Sequence, residues 1–314
     1  WDSVPATTVT LFYPGQTSFE WMLNGRDHGG ARAFTKLGDR CSTCHANEIK
    51  SMGELIVSGE KAEPTPIPGK RPHIDLNVQA AYDDSDLHLR FQWPDTPHAP
   101  VPFADGGKLD PENQTKLALM IVGSSIEYAD QAGCWVTCHH DERYMPDAPD
   151  EAALSAFSSP ALTDISDGIT KYLADTRTEM EIRGRGGKKR GGWDKLKPED
   201  EIAALAESGA VMDLMRYRSG GAPQNGVVAA ERRMAGEDGT FDAAGTLEGG
   251  TWTVLMKRPL ASNSPQDIGL DPANLYTIGL AIHDDYSNAR FHHVSLDLRL
   301  GFGEAEAEIK AVQQ

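Results

Sequence analysis

Two short stretches of the chain combine cysteine with histidine at a spacing that can do chemistry. Residues 41–45 read CSTCH and residues 134–139 read CWVTCH. All four cysteines of the chain lie in these stretches, and a histidine directly follows each pair: Cys41, Cys44 and His45, then Cys134, Cys138 and His139. With ten histidines in 314 residues, chance would place one after both pairs about once in a thousand times.

A cysteine pair closed by a histidine is the usual attachment signature of a c-type haem. The two thiols bond to the vinyl groups on one edge of the porphyrin, and the imidazole binds the iron. Residues three or four apart share a helix face, so both spacings can present their thiols together, although the second stretch has one residue more than usual. The sequence therefore predicts two covalent haem c groups, attached at Cys41 and Cys44 and at Cys134 and Cys138, with His45 and His139 as iron ligands.

Three other uses of the cysteines compete with haem attachment. One structural zinc ion could bind all four thiols, and an exported protein could instead form two disulfides. A thioredoxin-like redox pair would open a helix after a strand, and neither stretch has that context. The zinc and disulfide interpretations leave both adjacent histidines without a role, so haem c is favoured over them.

Each iron would have a sixth coordination position, for which three histidines are candidates. His28 precedes the first cysteine pair in GRDHGGA, where it either caps a haem or is a surface loop residue. His283 ends one predicted strand, and His292 opens the next beside His293. Successive strand residues point to opposite faces, so only one of His292 and His293 can reach a given site. We prefer His292 as a distal ligand, followed by His283.

The remaining pattern predicts a mainly β fold. Alternating runs on either side of DDSD, the run TKLALMIV and three runs after residue 250 are typical of strands. They predict an antiparallel β-sandwich, immunoglobulin-like or carbohydrate-binding-module-like, over residues 71–314. Helical spacing in PALTDISDGITKYLADTRTEMEI (160–182) and in KPEDEIAALAESGAVMDLMRYR (197–218) predicts a partly helical insertion at about 150–235. Residues 1–70 form a small segment with the first haem site.

The runs VQAAYDDSDLHLRFQW, TKLALMIV and GTWTVLMKRPL, with the closing strands, resemble the haem-binding domain of ethylbenzene-dehydrogenase-type γ subunits. The resemblance covers roughly residues 70–303. It implies a β-sandwich that holds one haem and passes electrons to or from a molybdenum enzyme. Family members usually hold a non-covalent b haem, whereas this chain has two attachment motifs, so it is more similar to dihaem c-type cytochromes that carry this domain.

Composition limits the classes of partner. The formal net charge is −17, with 47 acidic and 30 basic residues, and this charge disfavours nucleic acid. No apolar run is long enough to span a membrane. The first residue is Trp1 rather than Met, from which we infer that a leader was removed and that the chain is periplasmic.

These features predict an electron-transfer protein rather than an enzyme. The expected partner is a redox protein, either a membrane quinol-oxidising cytochrome or a periplasmic reductase. The basic stretch 183–197 is a candidate surface for docking an acidic partner. The alternatives are a haem enzyme or gas-binding sensor with one five-coordinate iron, and a ligand-binding β-sandwich module without haem.

Overall fold

The computed structural model describes most of the chain. The residues described are 1–15, 19–23, 28–63, 66–96, 109–123, 125–135, 173–176, 178, 196–229, 232–234, 241–262, 267–288 and 291–314. Cys138, His139 and nearly all of the basic stretch lie outside these ranges.

The described strands belong to one hydrogen-bonded sheet that closes on itself. They are β1 (Ala6–Phe12), β2 (His73–Tyr82), β3 (Asp86–Pro94), β4 (Lys116–Val122), β5 (Met212–Arg218), β6 (Gly221–Val228), β7 (Arg232–Met234), β8 (Asp242–Glu248), β9 (Thr251–Pro259), β10 (Tyr276–His283), β11 (His293–Val294), β12 (Leu298–Phe302) and β13 (Ile309–Gln313). Strands β10, β12, β13, β2, β1 and β11 pair in a ring and form a six-stranded barrel. Strand β13 closes the ring, because it pairs in parallel with both β12 and β2.

Two arms extend the sheet from the barrel. Strands β4 to β7 continue from β10, and β3, β9 and β8 continue from β2. Alternate residues of both arms face one hydrophobic core, which also fills the barrel. Leu119 and Tyr217 of the first arm belong to the same core as Phe91 and Trp252 of the second.

The mainly β prediction is confirmed, and the predicted strands around DDSD and in TKLALMIV correspond to β2, β3 and β4. The last predicted strand is divided into β11 and β12 at Ser295–Asp297. A sandwich of two sheets is not confirmed, since the strands that the structure describes form a single sheet with a closed barrel.

The described part of the segment 150–235 contains both helix and strand. It contains one α-helix, Glu199–Glu207, and the strands β5 to β7. The helical interpretation of VMDLMRY is therefore wrong: β5 is buried on both faces, so apolar residues do not alternate along it. The earlier predicted helix, around residues 160–182, lies almost entirely outside the described residues.

Short helices cover one face of the barrel near the N-terminus. They are α1 (Phe19–Met22), a π-helical turn (Ala33–Leu37), α2 (Cys41–His45), α3 (Ile49–Val57) and, from later in the chain, α4 (Ala129–Ala132). A second hydrophobic core joins them to the outer face of the barrel. Residues 1–70 also supply β1 to the barrel, so this segment is part of the sheet. None of the helices described in the structure has the length and hydropathy of a membrane span.

Candidate haem site

The first cysteine pair lies on helix α2, and a buried carboxylate fixes this helix to the barrel. Asp297 is fully buried, and its carboxylate accepts hydrogen bonds from the Ser42 backbone N–H and the Ser42 hydroxyl, both at 2.9 Å. Arg40, directly before the helix, donates from Nε to the same carboxylate at 2.5 Å. The anion thus satisfies an N–H at the positive end of α2 and orients the cysteines that follow.

A cavity of about 400 Å³ opens beside α2. Its lining is mostly apolar, and it also includes Cys41, Cys44 and His45. The apolar side chains come from β1, α1, the π-helical turn, α3 and two later segments: Phe12, Met22, Phe34, Met52, Leu55, Ile56, Trp135 and Leu296. A concave apolar site with a few polar groups is typical of a cofactor site.

Two histidines face each other across this cavity. The ring centres of His28 and His45 are 5.9 Å apart, and their planes are inclined by 31°. Two imidazoles bound to opposite sides of one metal ion have ring centres about 6 Å apart, since each metal–nitrogen bond is about 2 Å long and each ring adds about 1 Å. The observed separation therefore fits a single iron between the two rings.

Hydrogen bonds orient both imidazoles for this role. Nδ1 of His28 lies 2.7 Å from the Met22 carbonyl oxygen, and Nδ1 of His45 lies 3.1 Å from a Glu48 carboxylate oxygen. Each acceptor favours the tautomer with a proton on Nδ1, so the lone pair is on Nε2. A histidine that binds a metal characteristically donates its other N–H to such an oxygen.

The His28 imidazole is also kept neutral. Burial lowers its pKa, and the nearby charges of His45 and Lys61 lower it further, while the Met22 carbonyl acts in the opposite direction. Neutral imidazole is the form that binds a metal ion.

The structure counts against a reactive dithiol at the first site. Burial, followed by the Asp297 carboxylate, raises the pKa of the Cys41 thiol to about 12. Catalytic redox cysteines have lowered pKa values, because the thiolate is the nucleophile. Cys41 and Cys44 are not joined by a disulfide.

A zinc ion shared by the cysteines does not fit either. Among the described residues, one group of three potential ligands has its ligand atoms within 4.8 Å of one another: Asp83 in the turn after β2, with Asp86 and His88 at the start of β3. Cys41, Cys44 and Cys134 are described and do not form such a group. A four-cysteine site would require them to do so.

The second motif is described only at its beginning. Cys134 is buried against β10, where its Sγ lies 2.9 Å from the position that a Cβ on Gly279 would take. Trp135 is buried, lines the cavity beside α2 and stacks on Phe12, with ring centres 5.8 Å apart. Cys138 and His139 lie outside the described residues, so their roles stay predictions.

His283 and His292 lie close together, with ring centres 4.8 Å apart. His283 shares a face of β10 with Gly279, because residues four apart in a strand point the same way. Four residues of strand separate their Cα atoms by about 13 Å. The neighbouring His293 is fully buried and packs elsewhere, with Nε2 2.9 Å from the Arg71 carbonyl oxygen. The prediction that either His283 or His292 binds an iron stays a prediction.

The sequence interpretation missed the residues that hold the ligands. Asp297, Glu48 and the Met22 carbonyl have no motif of their own, and no spacing connects Asp297 to Cys41. The one available signal was Gly30, directly after His28 and Gly29: a Cβ on Gly30 would lie 3.1 Å from Cε1 of the His28 ring. Small residues beside a histidine are compatible with a closely packed imidazole.

Comparisons with known proteins agree with a haem-binding fold. The family model for ethylbenzene dehydrogenase matches residues 1–246. The chain belongs to this family. It is 40% identical to cytochrome c-552 from Stutzerimonas stutzeri, over all of this chain and 90% of that protein. It is 26% identical to cytochrome c-551 from Rhodocyclus tenuis, over all of this chain and 99% of that one.

Proposed function

We propose that this protein is a periplasmic dihaem cytochrome c that transfers electrons. One haem c would be attached through Cys41 and Cys44, with His45 and His28 as the two axial ligands. The second would be attached through Cys134 and Cys138, with His139 as one ligand. Bound haem supplies reversible one-electron chemistry, whose potential depends on its axial ligands and surroundings.

The facing imidazoles of His28 and His45 carry the proposal. Their separation fits one iron, and the thiols of the same helix line the same cavity. With both axial positions filled by the chain, no position remains for oxygen or another small substrate at this site. This arrangement favours electron transfer over gas binding or catalysis at the first haem.

The second haem is supported by fewer described residues. Cys134 packs against Gly279 on the face of β10 that also carries His283. His283 and its neighbour His292 are therefore our candidates for the remaining ligand. Both similar proteins of this family are named cytochromes c, which supports haem c as the cofactor type.

The apolar lining of the cavity suits the role of an electron carrier. It would exclude water from most of the porphyrin, so that a change of iron charge reorganises little solvent. Leu55 and Cys44 both line the cavity; Leu55 is 47% exposed, and Cys44 is also exposed. This edge is where a redox partner would approach the first haem.

Intact mass of the exported protein, produced in a host that attaches haem, tests the proposal. We expect a mass gain of two haems that survives acid and organic extraction. Each double variant, Cys41→Ala with Cys44→Ala or Cys134→Ala with Cys138→Ala, should retain one haem. A colourless protein with four titratable thiols would overturn the proposal, and a gain of one haem would overturn its dihaem part.

Carbon monoxide distinguishes an electron carrier from a sensor or haem enzyme. Two six-coordinate irons should leave the spectrum of the reduced protein unchanged when the gas is added. A carbon monoxide complex in the wild-type protein would instead support the alternative with one five-coordinate iron.

A further inference from the structure

We propose that the two haem attachment sites are adjacent and that Trp135 fixes the separation and orientation of the two porphyrins. This inference rests on the proposed function, because it requires both covalent haems. It goes beyond that function by making them one coupled pair instead of two separate carriers. Three contacts between the motif segments support it.

The first contact joins the residues that precede each cysteine pair. The side-chain N–H₂ of Gln131, three residues before Cys134, donates hydrogen bonds to the carbonyl oxygens of Phe34 at 2.8 Å and Asp39 at 2.9 Å. Asp39 is two residues before Cys41. Helix α4 is thereby held against the chain that leads into α2.

The second contact passes through Asp297. The carboxylate of Asp297 binds Ser42 and Arg40 at the start of α2. On the other side of the same residue, a Cβ on Gly133 would lie 3.3 Å from the Asp297 Cα. Gly133 has φ of +57°, a conformation that favours glycine, and it directly precedes Cys134. One residue therefore touches the backbone of both motif segments.

The third contact is made by Trp135. Its indole lines the cavity that Cys41, Cys44 and both facing histidines also line. Its backbone is one Cα–Cα step, about 3.8 Å, from Cys134. A porphyrin in the first cavity would touch Trp135, and the second porphyrin would be tethered at the preceding residue. The stack of Trp135 on Phe12, with an interplanar angle of 15°, holds the indole in place in the cavity wall.

Adjacency would make the chain a relay. Haems held at Cys41/Cys44 and at Cys134/Cys138 would supply one-electron exchange, in which one iron would go from ferrous to ferric as the other went from ferric to ferrous, without a proton or a further reactant. The redox partners of the proposed function then supply and accept the electron.

Circular dichroism in the Soret region of the oxidised protein tests this arrangement. Two neighbouring haems couple their transitions and give a two-signed signal, whereas separate haems give the sum of two independent signals. We expect the two-signed signal in the wild-type protein and its loss in each single-haem double variant described above. Two haem masses with a spectrum equal to the sum of the single-haem variants would overturn adjacency and leave the proposed function intact. A mass gain of one haem would overturn both.

Substitution of Trp135 tests its positioning role. We expect Trp135→Leu, with both haems retained by mass, to weaken the two-signed signal, and Trp135→Phe to restore most of it through the stack on Phe12. Trp252→Leu is the matched control, because Trp252 is also buried and stacked, on Trp93, but belongs to the other core. Equal loss of signal in Trp135→Leu and Trp252→Leu would assign the effect to general destabilisation and contradict the role of Trp135.

Discussion

At the scale of single residues, the His28 imidazole would set the redox potential of the proposed first haem. We expect His28→Met to raise the potential of that haem by on the order of 100 mV, because methionine in place of the second histidine favours the ferrous state. Redox titration followed in the visible spectrum measures the change. His88→Met is the control, since His88 lies on β3, contacts Asp83 and is not part of the cavity lining. Equal potentials in His28→Met and the wild-type protein would contradict axial ligation by His28.

Gly30 keeps space for the His28 ring. A Cβ at Gly30 would lie 3.1 Å from Cε1 and 3.2 Å from Nε2 of that imidazole. We therefore expect Gly30→Ala to displace the ring, to convert part of the first haem to a high-spin form and to allow carbon monoxide to bind the reduced protein. Gly29→Ala is a matched control one residue away, because a Cβ there would meet no heavy atom of the described residues within 4 Å. Low-spin spectra in both variants would show that His28 does not need this space.

The motif residues were predictable from the sequence, but their partners were not. Cys41, Cys44 and His45 follow a local rule, and helix geometry alone places them together. His28 had two equal interpretations, because a loop histidine becomes a ligand only when its neighbours hold it. The hydrogen bond to the Met22 carbonyl and the burial of the ring support the proposed ligand role, and both depend on how the chain folds back.

At the scale of elements, the anchoring of α2 rests on the buried Asp297 carboxylate. Asp297→Ala would leave the Arg40 guanidinium with Glu308 as its remaining ion-pair partner and the Ser42 N–H without its carboxylate acceptor. We expect this variant to lose about 3 kcal/mol of unfolding free energy, measured by urea denaturation, because removing one partner of a buried ion pair is costly. Glu308→Gln should cost no more than about 1 kcal/mol, because that pair is partly exposed. Comparable losses in the two variants would contradict a dominant anchor at Asp297.

The strand pattern predicted β3 and also β4, which is buried on both faces, but it did not predict β5. Strand β3 alternates along DLHLRFQW, and its burial alternates with it. Strand β5 carries a buried Asp213 whose charge is matched by Arg258 of β9 at 2.7 Å. A carboxylate within an apolar run breaks the strand pattern, and the neutralising partner lies 45 residues away.

At the scale of the whole molecule, the closure of the barrel could not be predicted from the sequence pattern. Strand β13 is only five residues long, and it pairs with both β12 and β2. Its residues follow their partners on β2 by more than two hundred positions in the sequence. Parallel pairing leaves no local turn signal, unlike the hairpin between β2 and β3. The sequence therefore predicts most of the strands but not the ring that unites them.

Net charge leads to the last prediction, which concerns the redox partner. A formal charge of −17 creates a negative field around the protein, and such a field attracts a cationic partner over a distance set by the salt concentration. The screening length falls from about 30 Å at 0.01 M salt to about 3 Å at 1 M.

We therefore expect the second-order rate of electron transfer with a small basic cytochrome to fall roughly tenfold or more across this range. Stopped-flow reduction measures the rate. A small acidic redox protein is the matched comparison, and its rate should stay constant or rise with salt, because screening removes repulsion. If the acidic protein instead reacted faster at low salt, a local basic surface such as residues 183–197 would govern docking in place of the overall charge.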